Sequence, residues 1–152
     1  MNNLRIGIPS KGRLSDLTGD LLKQAGLRFR RQDRGLFARV SDMNVDIVFL
    51  RTDDIPVLCS EGAIDLGITG SDLVEETAPG LTTRLRLGIG KCRLALCVPE
   101  DASIESAAAL SGSRIATSFP NVTKRYLDNL CIEAHMVPLS GSVEIMVSLG
   151  VA

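Results

Sequence analysis

Two patterns of apolar residues alternate along the chain. Short, continuous apolar runs of the kind that form buried strands are followed by stretches where apolar residues recur every three or four positions, as in an amphipathic helix. Leu4–Pro9 and Val45–Leu50 are the clearest apolar runs, and residues 13–25 are the clearest helical stretch, which Gly26 ends. Such alternation predicts an α/β fold with mainly parallel sheets and helices on both faces.

The rest of the pattern predicts further elements and a division into two lobes. Alternating charged and apolar residues at 83–90 predict an exposed strand that connects lobe I, residues 1–88, to lobe II, residues 89–152. Asp53 is expected to cap one of the helices. The other predicted strands cover residues 36–40, 65–68, 92–99, 114–118 and 134–139. The other predicted helices cover residues 53–62, 103–110 and 120–130, with two more that start at 71 and at 142, the latter reaching the chain end.

Composition narrows the function classes. The chain of 152 residues has a net charge of −1 and only 3% aromatic residues, which disfavours a general nucleic-acid binder. No apolar run approaches the ~18 residues of a membrane span, and no signal peptide is recognisable at the start, so we expect a cytoplasmic protein without a membrane partner. One His and four cysteines without a C-x-x-C pair predict buried free thiols rather than a zinc site.

Four loops at predicted strand ends carry small, polar or charged residues, and each precedes a helix. Ligands of open α/β sheets bind outside the carboxyl ends of the strands, and helix starts expose backbone N–H groups that attract phosphate. The same residue types also form ordinary caps and turns, but four such loops, two with strong cations, favour an anion pocket. The loops are Ser10-Lys11-Gly12-Arg13, Arg51-Thr52-Asp53-Asp54, Thr69-Gly70-Ser71-Asp72 and Thr117-Ser118.

Other charged residues allow two interpretations. Glu144 is either an ordinary acid in the first turn of a helix or a carboxylate that holds sugar hydroxyls or magnesium. His135 is expected to be satisfied or exposed rather than catalytic, because no activated Ser or Cys motif accompanies it. A run of arginines is expected to form a solvated face, with contact to a phosphate or a partner subunit as the alternative. It comprises Arg28, Arg30, Arg31, Arg34 and Arg39.

Six blocks occur in order along the chain: IPSKGRLSD, FLRTDDIP, DLGITGSDLV, GKCRLALCVP, RIATSFPNVTKRYL and LSGSVE. Together they resemble the ATP phosphoribosyltransferase family, which opens histidine biosynthesis, over the whole chain. The resemblance implies two lobes like those of type II periplasmic binding proteins. It also implies transfer of phosphoribosyl from phosphoribosyl pyrophosphate to ATP, giving phosphoribosyl-ATP and pyrophosphate, with magnesium accompanying the pyrophosphate.

The resemblance also implies roles for individual residues. Lys11, Arg13 and Arg51 would face phosphates, Asp72 would accept hydrogen bonds from the nucleotide, and Glu144 would hold ribose hydroxyls. No covalent nucleophile is expected, since catalysis would rest on positioning and charge stabilisation. The implied substrate-binding residues are Lys11, Gly12, Arg13, Arg51, Thr69, Gly70, Asp72, Leu73, Thr117, Ser118 and Glu144.

The family continues past the SVE block into a loop that cradles the ribose 5-phosphate, whereas this sequence stops at Ala152. By the resemblance it is the amino-terminal part of the catalytic region with lobe II incomplete, so weak nucleotide binding and poor turnover are expected. Two kinds of partner are implied, a histidyl-tRNA-synthetase-like regulatory subunit or further copies in a homo-oligomer. The alternative function is a non-catalytic solute-binding or sensor domain, since one fold serves both.

Overall fold

A four-stranded sheet organises the first part of the molecule. The structure, a computed structural model, describes residues 3–33, 35–78 and 80–152. The chain divides into two compact units, Met1–Cys92 and Arg93–Ala152, whereas the sequence places the division after residue 88. The strands of the first unit are β1 (Leu4–Pro9), β2 (Phe37–Arg39), β3 (Val45–Leu50) and β4 (Leu66–Gly67).

The sheet has the order β2-β3-β1-β4. β1 is parallel to both β3 and β4, and β2 is antiparallel to β3. The registers Leu4↔Val45 and Pro9↔Leu50 show that β1 and β3 begin and end together. The prediction of a mainly parallel sheet is therefore confirmed, and the carboxyl ends of β1 and β3 lie side by side.

Helices cover both faces of this sheet. The first unit contains α1 (Arg13–Gln24), α2 (Asp54–Ser60) and α3 (Ser71–Thr77). Leu22 of α1 packs with Ile8 and Ile47 in one buried cluster, and Ile55 of α2 packs with Val48 in another. Ile47 and Val48 are neighbours in a strand and so point to opposite faces, which confirms the prediction of a doubly covered sheet. Full burial of such a side chain contributes about 1.5–3 kcal/mol.

The second unit is a βαβ arrangement. It contains β5 (Arg114–Thr117), α4 (Pro120–Asn129) and β6 (His135–Pro138), and the two strands are parallel. Leu110, Leu127 and Ile132 form its buried cluster. These elements agree with the predicted strands and helix to within one residue at each end.

Two predicted strands, 83–90 and 92–99, are wrong. Both segments lack strand structure, although apolar and charged residues alternate along them. A strand is stabilised by hydrogen bonds to a neighbouring strand, and in the described part of the chain these residues have no such neighbour. The pattern of the sequence reports which side chains share a face, but it cannot supply the strand that they need beside them.

Two predicted helices are also reduced to single 3₁₀ turns, Ala107–Leu110 and Val143–Ile145. The residue that was expected to open the last helix, Ser142, has a left-handed backbone with φ of 56°. The apolar residues Val147 and Leu149 remain exposed. A short helix is stable chiefly when an apolar face packs against other elements, so these segments do not form one.

The cysteines are free, as expected, but only Cys59 is even partly buried, while Cys92, Cys97 and Cys131 are exposed. Burial was therefore the wrong expectation for three of the four. Two of them, Cys92 and Cys97, lie in the segment that was expected to be a strand and is not one. None of the described helices combines the length and apolar character that a membrane crossing requires.

Candidate functional site

The loops that follow β1 and β3 surround one cavity. The backbone N–H of Ser10 donates to the carbonyl of Leu50 at 2.7 Å, which extends the strand pairing by one step. Both loops therefore leave the sheet from the same point on its carboxyl edge. Between them lies a cavity of about 360 Å³, lined by Ser10, Lys11, Gly12, Leu50, Arg51, Thr52 and Asp53.

Two cations stand at this cavity. Lys11 and Arg51 are both exposed there. Arg51 Nε lies 4.0 Å from Asp53 Oδ1, and both side chains are largely exposed. Exposed pairs of this kind contribute at most about 1 kcal/mol, so Arg51 can leave Asp53 for an anionic ligand at little cost. The structure thus brings together the two strong cations that the sequence placed on separate loops.

The third loop is tied to the second by a side chain. Thr69 Oγ1 donates a hydrogen bond of 2.9 Å to the carbonyl oxygen of Thr52, a residue that lines the cavity. Gly70 follows and α3 begins at Ser71. A Cβ atom at position 70 would collide with the carboxylate of Asp72, so glycine allows that carboxylate to fold back over the backbone. Gly70, Asp72 and the following residue Leu73 are all partly buried.

The residues that precede α1 and α2 do not cap these helices with side-chain hydrogen bonds. Asp53 occupies the N-cap position of α2 but makes no capping hydrogen bond, so the predicted cap is wrong. Its backbone is already helical, with φ of −71° and ψ of −27°, whereas a capping residue needs an extended backbone to aim its side chain at the first turn. Gly12 precedes α1 with φ of 84° and has no side chain to cap with.

Arg13 is the first residue of α1 and is exposed. It lies next to Gly12 but is not among the residues that line the cavity. The structure therefore places Lys11, Gly12 and Arg51 at the cavity and links Thr69 to it through Thr52. Arg13 stands beside this group rather than within it.

In the second unit the predicted residues have different surroundings. Thr117 is buried, and its hydroxyl lies 3.1 Å from that of Thr123 and accepts a hydrogen bond from the N–H of Phe119 at 3.0 Å. This hydroxyl is engaged in the turn between β5 and α4. Ser118 and Glu144 are exposed.

The arginine run is mixed rather than a uniform solvated face. Arg39 Nε pairs with Asp46 Oδ1 at 2.6 Å, and Arg28 lies 4.0 Å from Asp42. Arg34 lies outside the described residues. Arg31 is partly buried, and one of its nitrogens donates to the carbonyl of Ser10 at 2.7 Å. Arg31 therefore supports the cavity loop, and nothing in the sequence pattern distinguishes it from the neighbouring arginines.

Two side chains of the first unit, Asp46 and Cys59, have shifted pKa values. A hydrogen bond from Asn3 is the main cause that holds the pKa of Asp46 below its ordinary value, and Arg39 adds to this effect. Burial, together with the charge of Asp65, raises the pKa of Cys59. Within the described ranges, His, Cys, Asp and Glu side chains form no group of three or more that could hold a metal ion.

Comparison with known proteins identifies relatives. Residues 51–152 match the family model described as ATP phosphoribosyltransferase. A curated protein of that name from Rhodopirellula baltica is 64% identical over 149 residues, covering 98% of this chain and 50% of the relative. Another, from Methanosarcina mazei, is 40% identical over 151 residues, covering 98% of this chain and 52% of the relative. The chain thus spans about half the length of the curated relatives it matches.

A solved structure shares the fold. The chain is similar to one from the ATP phosphoribosyl transferase (HisG:HisZ) complex of Thermotoga maritima, with a TM-score of 0.70 and 28% sequence identity. The match covers 98% of this chain and 70% of the solved one. The similarity therefore extends over both units of the chain.

Proposed function

The chain belongs to the ATP phosphoribosyltransferase family, and from this we propose that it takes part in transferring phosphoribosyl from phosphoribosyl pyrophosphate to ATP. The products would be phosphoribosyl-ATP and pyrophosphate, in the opening step of histidine biosynthesis. The observation that carries the proposal is the cavity at the ends of β1 and β3, where Lys11 and Arg51 stand together. Two cations in one cavity suit substrates that are both polyanions.

The reaction needs charge stabilisation more than a reactive side chain. A ring nitrogen of adenine forms a bond to the anomeric carbon while the bond from that carbon to the pyrophosphate oxygen breaks. The ribose gains oxocarbenium character and the leaving group gains negative charge. Lys11 and Arg51, with Arg13 beside them, would hold phosphates in place and stabilise that charge. No covalent nucleophile is required.

The remaining predicted residues divide between the two substrates. Thr69, Gly70, Asp72 and Leu73 would line the adenosine side, with Asp72 accepting hydrogen bonds from the nucleotide. In the second unit, Ser118 and Glu144 would contact phosphoribosyl pyrophosphate, and Thr117 would shape the turn or contribute a backbone group. Magnesium would arrive with the pyrophosphate group, since this ion commonly binds through substrate phosphates with one or two carboxylates, and Glu144 offers one exposed carboxylate.

The architecture and partners follow from the same family membership. The two units would be lobes of the kind found in type II periplasmic binding proteins. The similar solved chain comes from a complex titled HisG:HisZ, which supports a second, histidyl-tRNA-synthetase-like regulatory subunit as one partner. A homo-oligomer is the other. A biosynthetic role of this kind would place the protein in the cytoplasm.

Isothermal titration of the chain with ATP, phosphoribosyl pyrophosphate and histidine, each added separately, tests the proposal. ATP and phosphoribosyl pyrophosphate are expected to bind, with affinities that fall as salt is added because the contacts are ionic. Binding of histidine or another amino acid with no binding of either phosphate compound would instead favour a non-catalytic sensor domain.

A further inference from the structure

Arg31 is joined to three separate segments of the first unit. Its Nε donates to the carbonyl of Gly35 at 2.9 Å, and its terminal nitrogen donates to the carbonyl of Ser10 at 2.7 Å. The guanidinium carbon lies 4.3 Å from the centre of the Phe49 ring. Phe49 is itself buried in the core beneath the sheet's α1 face. The guanidinium therefore donates in two directions and lies over an aromatic ring.

The bond to Ser10 has a consequence for the next residue. The carbonyl of Ser10 and the N–H of Lys11 belong to one planar trans peptide unit, in which the two groups point in opposite directions. The N–H of Ser10 is already bound to Leu50 at 2.7 Å. With the carbonyl bound to Arg31 as well, the direction of the Lys11 N–H is fixed, and it points away from Arg31.

Lysine could not replace arginine in this role. A guanidinium is flat, carries donors in a fixed fork and stacks on aromatic rings, whereas an ammonium group is a compact point charge without a flat face. The contacts here use two donors in different directions, while the guanidinium carbon lies over an aromatic ring. They depend on the shape of the group as well as on its charge.

We propose that Arg31 is a positioning residue for anion binding: it fixes the Ser10–Lys11 peptide so that the Lys11 N–H and the loop up to Gly12 present a preformed surface to phosphate in the cavity. This proposal rests on the proposed function for the nature of the ligand. Arg31 acts through the loop and does not touch the ligand itself. A preformed loop binds more tightly because less conformational freedom is lost on binding.

The test compares Arg31→Lys, Arg31→Gln and the parent chain, with inorganic pyrophosphate as the probe in isothermal titration. Arg31→Lys keeps the charge but loses the fork, so it is expected to weaken binding by about five- to tenfold, the equivalent of one lost hydrogen bond. Arg31→Gln is expected to weaken it at least as much. Arg30→Lys is the matched control, because Arg30 is an exposed neighbour, and it should leave the affinity unchanged.

A second measurement keeps the proposal separate from the proposed function. The amide ¹H–¹⁵N signal of Lys11, recorded without any ligand, is expected to move in Arg31→Lys and to stay in place in Arg30→Lys. If the parent binds neither ATP nor pyrophosphate, the proposed function fails, and the Lys11 signal still decides whether Arg31 holds the loop. If Arg31→Lys does not fold, Arg31→Gln is recorded in its place and is expected to shift the same signal.

The proposal is overturned if Arg31→Lys binds pyrophosphate within about twofold of the parent and the Lys11 amide signal does not move. That result would mean that charge alone is required at position 31. A shift of the Lys11 signal without any change in pyrophosphate affinity would also overturn it. In that case Arg31 would hold the loop, but the position of the loop would not affect binding.

Discussion

The hydroxyl of Thr69 donates a 2.9 Å hydrogen bond to the main-chain carbonyl of Thr52, across 17 positions of sequence. Thr52 belongs to the loop after β3, and Thr69 lies just after β4. The two strands are not neighbours in the sheet, because β1 lies between them. This single side-chain contact therefore couples two of the strand-end loops that form the proposed nucleotide site.

Replacing Thr69 with valine is expected to uncouple these loops. Valine has a similar shape but no donor, so the carbonyl of Thr52 loses its partner at a cost of about 1 kcal/mol in the free energy of unfolding. ATP affinity should fall as well, because binding must then order two loops that are no longer joined; a fivefold loss corresponds to about 1 kcal/mol. Thr69→Ser retains the hydroxyl and serves as the control. Equal stability and equal ATP affinity in the two variants would contradict the coupling.

Removing either cation at the cavity should weaken binding without unfolding the chain. Lys11→Gln and Arg51→Gln are each expected to reduce ATP affinity by about tenfold or more, since hydrogen bonds to charged groups contribute about 1.5–3 kcal/mol. Both residues are exposed, so the free energy of unfolding should change by less than about 0.5 kcal/mol. Isothermal titration and thermal unfolding measure the two effects.

Lys23→Gln is the control for these charge variants. Lys23 is also an exposed lysine in the first unit, but it lies in the last turn of α1 and pairs with Asp20 at 3.7 Å. It should leave ATP affinity unchanged. If Lys23→Gln weakens ATP binding as much as Lys11→Gln, the effect comes from net charge and not from the cavity.

The sequence predicts the structure best where a single strand or helix determines it. β1 and β3 have the predicted bounds, because strands buried on both faces appear as continuous apolar runs. Lys11 and Arg51 could be assigned to one edge of the sheet because each follows one of these parallel strands closely. No knowledge of tertiary contacts was needed for that step.

The sequence does not predict the structure where a contact between distant segments determines it. Arg31 lies 21 positions from Ser10, and a run of similar arginines gives no indication of which one turns inward. The predicted role of Thr117 in substrate binding stays a prediction, but the sequence gives no sign that its hydroxyl lies against that of Thr123. The segment 92–99 has strand-like alternation but has no neighbouring strand. In each case a partner elsewhere in the chain, or its absence among the described residues, fixes the structure.

Replacing Gly67 and Gly19 with alanine is expected to change the free energy of unfolding in opposite directions. A Cβ at Gly67 would lie 2.5 Å from Ile55 Cγ2 and 2.9 Å from Cys59 Sγ, both on α2. Such overpacking costs about 1–3 kcal/mol. Gly19 lies inside α1, and a methyl group added there would meet no atom within 4 Å beyond the helix's own backbone, so Gly19→Ala should stabilise by about 1 kcal/mol through helix propensity. Urea unfolding of the two variants checks this; destabilisation by both would contradict the description of α1.

The free energy of unfolding at acid pH should depend on the ionisation of Asp46. Its pKa is lowered in the folded chain, chiefly by the hydrogen bond that Asn3 Nδ2 donates at 2.8 Å. Below the ordinary carboxyl pKa of about 4 the unfolded chain therefore binds a proton that the folded chain still lacks, so stability is full above that pH and falls as pH decreases through the folded value. Asn3→Ala should raise the pKa of Asp46, as measured by a carboxyl ¹³C titration.

The same titration separates the hydrogen bond from the ion pair with Arg39. Because the Asn3 bond is the larger cause and involves a neutral donor, added salt should raise the pKa of Asp46 less than Asn3→Ala does. Asn44→Ala, at an exposed asparagine nearby in sequence, should leave that pKa unchanged. A larger effect of salt than of Asn3→Ala would assign the shift to Arg39 instead.

Cys59 is expected to be the slowest of the four cysteines to react with iodoacetamide. The thiolate is the reactive form, and burial together with the charge of Asp65 raises the pKa of this thiol, while Cys92, Cys97 and Cys131 are exposed. The rate at which Cys59 reacts should continue to increase as the pH is raised above about 8.5, the ordinary thiol pKa. Mass spectrometry of timed samples gives each rate, and in denaturant the four rates should converge. If Cys59 reacts as fast as Cys131 in the folded chain, then α2 does not shield it against β4.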